Sequence, residues 1–420
     1  MKLTMIRFKN ITRGLLVVAS TLMLFSACNK DPEDLGSPLP PPPTGSSLSE
    51  LIQQNPDDSL YYRLIVHAGM SNLFTGTNGS SYTMFIPGNA AMKAFITAAS
   101  GGAVPAGAPD AVFSGFITTQ IPVANAAAIV SYNTIPQGVT TSGFGNTFPN
   151  YMYPTLLNPA PSISPFLRLT TFLSTRNGNW VSNIPLVGVN EVGKNGVIHH
   201  SAALSVPPQR YLWDRINTDP NLTYFKAAII RGDSATRIGG APGQLQSGLM
   251  NIGANLTIFA PTDDVFRATL TAAITQVLIN MGIPAGAAAA QAATWAATPD
   301  VFDVPELRPV LTAQTVQGLL TYHILGKRVF TNNFPTTATN FPTLLNGVLT
   351  THPGLTLQVT MGAPFATAAT VKGLENATAA NITINASPLL PDPVGTSDQN
   401  YLNGVIHKIN QVLMPLPLIP

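Results

Sequence analysis

Charge is scarce in this chain: only 10% of its 420 residues are Asp, Glu, Lys or Arg, against roughly 25% in an average soluble domain. The 21 basic and 19 acidic side chains leave a net charge of +2, so there is no basic field to gather a phosphate backbone, and nucleic acid is set aside as a partner. Cysteine is nearly absent. The single Cys28 excludes an intrachain disulfide and any thiolate metal cluster. No phosphate loop, dinucleotide fingerprint or nucleophile elbow occurs; V187-G-V-N-E-V-G193 lacks both the glycine spacing and the following helix that such motifs need. No His-x-x-x-His with a glutamate is present either, and no metal or cofactor is expected. What is abundant is loop chemistry, with 34 glycines and 37 prolines beside many Ala, Thr and Asn residues. The length suits two or three domains with sizeable cores.

The lone cysteine has an informative position. Lys2, Arg7, Lys9 and Arg13 precede the apolar run G14-L-L-V-V-A-S-T-L-M-L-F-S-A27, which has the length of a secretory signal and is short for a membrane span. The context F25-S-A-C28 resembles the lipoprotein box, in which small residues precede a cysteine that is acylated and becomes the mature N-terminus. Phe25 stands where that pattern usually has Leu. The following N29-K-D-P-E-D34 is similar to the acidic export signal of lipoproteins displayed on the outer membrane of Bacteroidetes. Then S37-P-L-P-P-P-P-T-G-S-S47 is too poor in apolar bulk to fold and favours extended polyproline geometry. The expected plan is a signal peptide over 1–27, an acylated Cys28 with a proline-rich spacer over 28–47, and a lipid-held chain facing the cell exterior. Stable anchoring requires more than one acyl chain.

The rest of the chain repeats itself. K194-N-G-V-I-H-H-S201 is echoed by L402-N-G-V-I-H-K-I409, S81-Y-T-M-F-I-P-G88 by N255-L-T-I-F-A-P-T262, and V130-S-Y-N-T-I135 by L320-T-Y-H-I-L325. Pairing Leu60 with Leu222, Tyr82 with Leu256, Pro105 with Pro284, Tyr132 with Tyr322 and Gly196 with Gly404 gives offsets of 162, 174, 179, 190 and 208. They never decrease. Two copies of one domain, the second with longer loops, give that pattern, and the proline clusters at Pro207-Pro208 and from Pro415 onward mark domain ends. The expected domains are 48–207 and 208–417.

Local physics supports the pairing. L256-T-I-F-A260 reads as a strand stopped by Pro261. Thr262 is expected to cap the next helix through its hydroxyl, with Asp263 and Asp264 in the first turn, and Asn89 to cap the matching helix of the first copy. Phe266, Leu270, Ile274 and Val277 recur on one helical face, as do Val316, Leu319, Leu320 and His323, with Gly326 available to stop that second helix. Asn195-Gly196 and Asn403-Gly404 read as turns leading into β-branched strands. The fold class is α+β: in each copy a helical part, then a strand-rich part closed by the NGVIH strand.

These blocks resemble the fasciclin-like domain family. I258-F-A-P-T-D-D-V-F266, L319-L-T-Y-H-I-L325 and N403-G-V-I-H-K-I-N-Q-V-L-M414 match its three signature blocks in order, and the first copy carries degenerate versions. The resemblance implies two tandem domains, each a β-sandwich or wedge of about seven strands with packed helices, in extracellular adhesion and surface proteins. It also implies an adhesive role for the Tyr-His block, which falls on Tyr322 and His323, with Tyr132 in the first copy followed by Asn133. The residues Pro261, Thr262, Asp263, Asn195, Gly196, His199, Asn403, Gly404 and His407 carry its structural signature.

Sharper chemistry competes with this reading. His323 on an apolar helix face suits packing and hydrogen bonding, with adhesive contact as the alternative; His199 and His407 suit a strand face, and Lys194, His200 and Lys408 read as solvated. The adjacent Asp263 and Asp264 lack a second acid across a cleft, which glycoside hydrolysis requires. The leading expectation is a non-enzymatic surface lipoprotein that binds an extracellular protein or polysaccharide and, through Cys28, membrane lipid. A glycan-binding or glycan-processing component, its scarce acids such as Asp219, Asp263, Asp303 and Glu375 meeting in one pocket, is the alternative. A scaffold whose domains mainly contact each other is the third.

Overall fold

The structure, a computed structural model, describes residues 44–238, 240–385 and 396–416. The signal segment, Cys28 and nearly all of the spacer lie outside them. Residues Gly45–Pro420 form one compact unit, built from two mixed helix-and-sheet domains in tandem.

The first domain opens with five helices, α1 (Leu48–Gln54), α2 (Ser59–His67), α3 (Asn89–Ala99), α4 (Asp110–Thr119) and α5 (Val123–Tyr132), with strand β1 (Tyr82–Pro87) between α2 and α3. Six more strands follow: β2 (Thr134–Ile135), β3 (Tyr151–Pro154), β4 (Thr170–Ser174), β5 (Trp180–Val181), β6 (Ile184–Gly193) and β7 (Gly196–Ser201). Their sheet order is β2-β1-β7-β6-β5-β4-β3. Register breaks around Gly188 let β6 pair with β5 at one end and β7 at the other.

The second domain repeats the plan with α6 (Leu212–Thr218), α7 (Thr223–Gly232), α8 (Gln244–Leu249), α9 (Asp263–Asn280), α10 (Ala285–Trp295) and α11 (Ala313–Tyr322). Its strands are β8 (Leu256–Pro261), β9 (Ile324–Leu325), β10 (Thr339–Phe341), β11 (Leu355–Met361), β12 (Ala366–Lys372), β13 (Ala380–Ile382), β14 (Gln399–Tyr401) and β15 (Gly404–Ile409). They order as β10-β11-β12-β13-β15-β8-β9, with β14 also on β15. The NGVIH strand thus ends each domain in sequence but sits inside its sheet, parallel to the first strand: Tyr82 faces Gly196, and Leu256 faces Gly404.

That parallel neighbour explains the glycine. A Cβ on Gly196 would lie 1.9 Å from the Tyr82 carbonyl oxygen, and one on Gly404 would lie 2.4 Å from the Leu256 carbonyl oxygen. The turn itself is formed by the two preceding residues, Lys194-Asn195 and Leu402-Asn403. In each domain an apolar core packs the helices on the sheet, with Leu60, Tyr61, Leu64, Met84 and Ile198 in the first and Phe225, Phe266, Leu270, Leu320 and Ile406 in the second, and a further cluster lies among the strands.

Several local expectations need correction. The α2 and α7 helices match with an offset of 164, pairing Leu60 with Tyr224 rather than Leu222, because buried Leu60, Tyr61, Leu64 and Ile65 answer to buried Tyr224, Phe225, Ala228 and Ile229. Pro284 is the N-cap of α10, whereas Pro105 lies in a turn whose carbonyl accepts from the Ala108 N–H, so that echo is not conformational. Helix α11 ends at Tyr322 with His323 as its cap, three residues before Gly326. Thr262 is the N-cap of α9, yet its hydroxyl donates to Asp264 Oδ1 at 2.5 Å and accepts nothing from the helix amides. Asp263 instead caps a different helix, accepting from the Tyr224 N–H at 3.0 Å and the Thr223 hydroxyl at 2.6 Å at the start of α7. Asn89 does the same for α2, accepting from the Leu60 N–H at 2.9 Å. In both domains the second residue after the strand fastens an upstream helix because the strand exit runs beside that helix's unpaired amides.

Candidate functional site

The signature residues lead inward. His199 and His407 are fully buried. The His407 Nε2–H donates to the Val329 carbonyl at 3.0 Å while Nδ1 accepts the Asp398 N–H at 3.1 Å; His199 repeats this with Val139 at 2.9 Å and Asn190 at 3.2 Å. Asn190 and Asp398 adopt left-handed backbone, with φ of 62° and 59°, a conformation Asn and Asp tolerate better than most residues. Each then accepts the N–H of an equivalent threonine, Thr141 or Thr331, at 2.8 Å. Phe85 stacks on His199 and Phe259 on His407 at 5.7 and 5.6 Å. Burial pushes both histidines below their ordinary pKa, against the opposing pull of Asp398 on His407. With both ring nitrogens engaged in one neutral tautomer, neither has a lone pair for a metal or a substrate proton.

Asn195 and Asn403 act as clamps. Asn403 Oδ1 accepts from the Leu212 N–H at 3.0 Å and Nδ2 donates to the Leu249 carbonyl at 2.9 Å; Asn195 accepts from Leu48 at 2.9 Å and donates to Phe74 at 3.0 Å. One amide therefore ties the turn to the domain's opening helix and to the segment before its first strand.

The Tyr-His block is buried as well. His323 Nδ1–H donates to the Leu319 carbonyl at 2.8 Å and Nε2 accepts the Leu413 N–H at 2.9 Å; burial drives its pKa down to about 4. Asn133 occupies the same place in the first domain, donating to Ile129 at 2.9 Å and Ser205 at 2.7 Å. The Tyr322 hydroxyl donates to Gly354 and accepts from Leu374, whereas Tyr132 reaches Asn400 of the second domain. Tyr322, His323 and Tyr132 are 0%, 0% and 2% exposed, so none offers its side chain to a partner.

Lys408 and His200 beside NGVIH are engaged, contrary to the solvated reading, whereas Lys194 remains partly exposed. Lys408 is buried with Asp219 at 2.7 Å, which Arg215 approaches at 3.3 Å. Burial tends to raise the Asp219 pKa, but the bond to Lys408 and the two cations hold it below the ordinary carboxylate value. His200 sits between Asp58 at 3.5 Å and Glu191 at 3.0 Å; hydrogen bonding to Asp58, opposed by burial and aided by Glu191, raises its pKa to about 9. Lys194 faces Glu50 at 4.0 Å. Lys408 is covered because every residue of β15 is buried.

The two domains lock together. Asn177 donates to the Asn332 carbonyl at 2.8 Å, Asn332 donates to the Ser182 carbonyl at 3.0 Å, and Phe172 meets Phe330 at 5.7 Å. Arg328, buried, lies 5.0 Å over the Phe172 ring and donates to Asn255, Asn400, Tyr401 and Leu402. Burial lowers its pKa to about 10. Beside this contact lies a groove of about 480 Å³ between the domains, lined among others by Asn150, Tyr151, Met152, Asn255, Lys327 and Arg328. Sequence reasoning missed it, since its residues belong to loops and edges of both domains; the only signal was the pair of consecutive cations Lys327-Arg328 in an otherwise charge-poor segment.

The acids invoked for glycan processing do not meet in the clefts: neither this groove nor the cleft of about 270 Å³ beside α2 and α4 is lined by Asp219, Asp263, Asp303 or Glu375. Among the described residues no group of three or more His, Cys, Asp and Glu side chains is placed to hold a metal ion.

Comparison with protein families matches residues 300–415 to the fasciclin domain, so a fasciclin-like domain is present in the second half. Comparison with curated proteins gives no match. Among solved structures the chain is similar to a FAS1 domain pair from the insect cell adhesion molecule fasciclin I, at 13% identity and a TM-score of 0.29, over 84% of this chain and 95% of that one.

Proposed function

We propose that this chain is a non-enzymatic interaction protein displayed at a bacterial surface. Acylated Cys28 holds it in the outer membrane facing the exterior, the spacer over 28–47 lifts it off the lipid, and fasciclin-like domains over 48–207 and 208–417 bind an extracellular protein or polysaccharide. One observation carries the reading: the same buried His–Asn/Asp–Thr network occurs in both halves, and one half matches the fasciclin domain. Conserving buried, neutral, fully bonded groups maintains a scaffold; it does not prepare a catalyst. Tyr322, His323 and Tyr132 then serve adhesion by positioning loops and the domain partner, and contact with ligand falls to exposed loops and to the groove between the domains. That groove favours the polysaccharide version of the reading.

The test uses the full chain expressed in a bacterial host beside its Cys28→Ser variant. Diacyl or triacyl mass on the mature N-terminus, protease access on intact cells, and cross-linking to an extracellular partner are expected for the first and lost from the membrane fraction in the second. An unmodified Cys28 by intact mass overturns the anchoring, and turnover of any glycan overturns the non-enzymatic reading.

A further inference from the structure

Asn150 is 4% exposed, and neither atom of its side-chain amide finds a partner among the described residues. Burying an amide without partners is unfavourable, so such a group in a groove wall signals a missing polar partner. The groove it lines contributes two cations, Lys327 and Arg328, and no carboxylate. Arg328 has five N–H donors, and four bonds to neutral oxygens leave one over. Lys327 is exposed, and Tyr151 and Met152, 48% and 57% exposed, supply an accessible aromatic and apolar wall. The volume, about 480 Å³, falls within the range of small-ligand sites.

We propose that this groove binds an acidic sugar, a uronate residue within an oligosaccharide. The carboxylate is drawn to Lys327 and the remaining Arg328 donor, the unpaired Asn150 amide turns out of the wall to pair both its donor and its acceptor with neighbouring hydroxyls, and the apolar face of the ring packs on Tyr151. An acidic peptide shares only the charge. A sugar uses all three features, since adjacent hydroxyls both donate and accept and a pyranose face is apolar. The inference rests on the surface-binding reading above and assigns the class of polysaccharide to one site.

Calorimetric titration of the mature chain with trigalacturonate, neutral trigalactose and a Glu-rich peptide of equal charge tests it. Saturable binding is expected for trigalacturonate alone, weakening as salt rises from about 50 to 200 mM and falling about tenfold in Lys327→Ala and in Asn150→Ala. Lys327 is a surface residue, so its variant keeps the fold, and Asn150→Ala removes an unpaired group and is expected to melt no lower than the parent chain. Absence of saturable uronate binding, equal binding of the neutral sugar, preference for the peptide, or undiminished affinity in both variants overturns the proposal. A chain that still captures an extracellular partner on cells while failing here loses this site and keeps the function proposed above.

Discussion

A side-chain amide that accepts an N–H from one segment and donates to the carbonyl of another replaces two backbone partners at once, and Asn195 and Asn403 each do so for two segments that lie more than a hundred residues upstream of the amide. Truncating either to alanine leaves a buried N–H and a buried carbonyl without partners, at about 1–3 kcal/mol for each group. Asn403→Ala and Asn195→Ala are therefore each expected to lower stability by about 2–5 kcal/mol in denaturant titration. A loss below about 0.5 kcal/mol, the usual scale of surface substitutions, would place these residues in the turn only. The substitution of His323 by its first-domain counterpart is milder. Asn133 already bridges Ile129 and Ser205 at the matching place, so His323→Asn is expected to fold while losing one source of acid sensitivity.

At the scale of elements, the buried and half-buried histidines couple the sheets to pH in opposite directions, and β7 carries one of each kind, His199 and His200. His200 on β7 has a folded pKa raised to about 9 by Asp58 and Glu191, so its contribution is complete below about 6.5 and is lost as pH rises from there through 9. His323 next to β9 has a folded pKa of about 4; the unfolded chain takes up the proton first, so stability falls as pH drops from about 6.5 toward 4, and the lowered His199 and His407 add to that limb. Stability is expected to peak near neutrality. His200→Gln should flatten the alkaline limb by about 1–2 kcal/mol, allowing for solvent screening of a partly exposed pair, and leave the acid limb in place. An alkaline limb unchanged in that variant would contradict the assignment.

Elements were legible in the sequence where one period governs them. The buried face of α9, the NGVIH strands and three of the five echoed pairs, Tyr82 with Leu256, Tyr132 with Tyr322 and Gly196 with Gly404, were legible there, because apolar periodicity depends on neighbours within a few residues. What escaped depends on distant partners. Nothing local says that Asp263 would cap α7 across forty residues, that Asn190 and Asp398 would turn left-handed to reach a histidine, or that Lys408 would be covered on both sides of its sheet. The groove escaped for the same reason, being assembled from loops of both domains.

For the whole molecule, the consequence is a rigid pair rather than two beads. Asn177, Asn332, Phe172 and Arg328 exchange hydrogen bonds and ring contacts across the boundary, which predicts one cooperative unfolding transition for the parent chain. Asn332→Ala combined with Asn177→Ala should separate the melt into two transitions by calorimetry. Two resolved transitions in the parent chain would show that the interface does not couple the domains.

The central claim is that the histidines written twice into this sequence are neutral structural bridges. Nitrogen NMR of imidazole-labelled protein across pH 8 to 5 tests it most directly. The account predicts that His199, His323 and His407 each hold one fixed neutral tautomer at neutral pH and take up a proton only below the ordinary imidazole range, with protonated Nε2 in His199 and His407 and protonated Nδ1 in His323, while His200 is charged at neutral pH. Titration of His199, His323 or His407 near 6.5, with mixed tautomers, would contradict it.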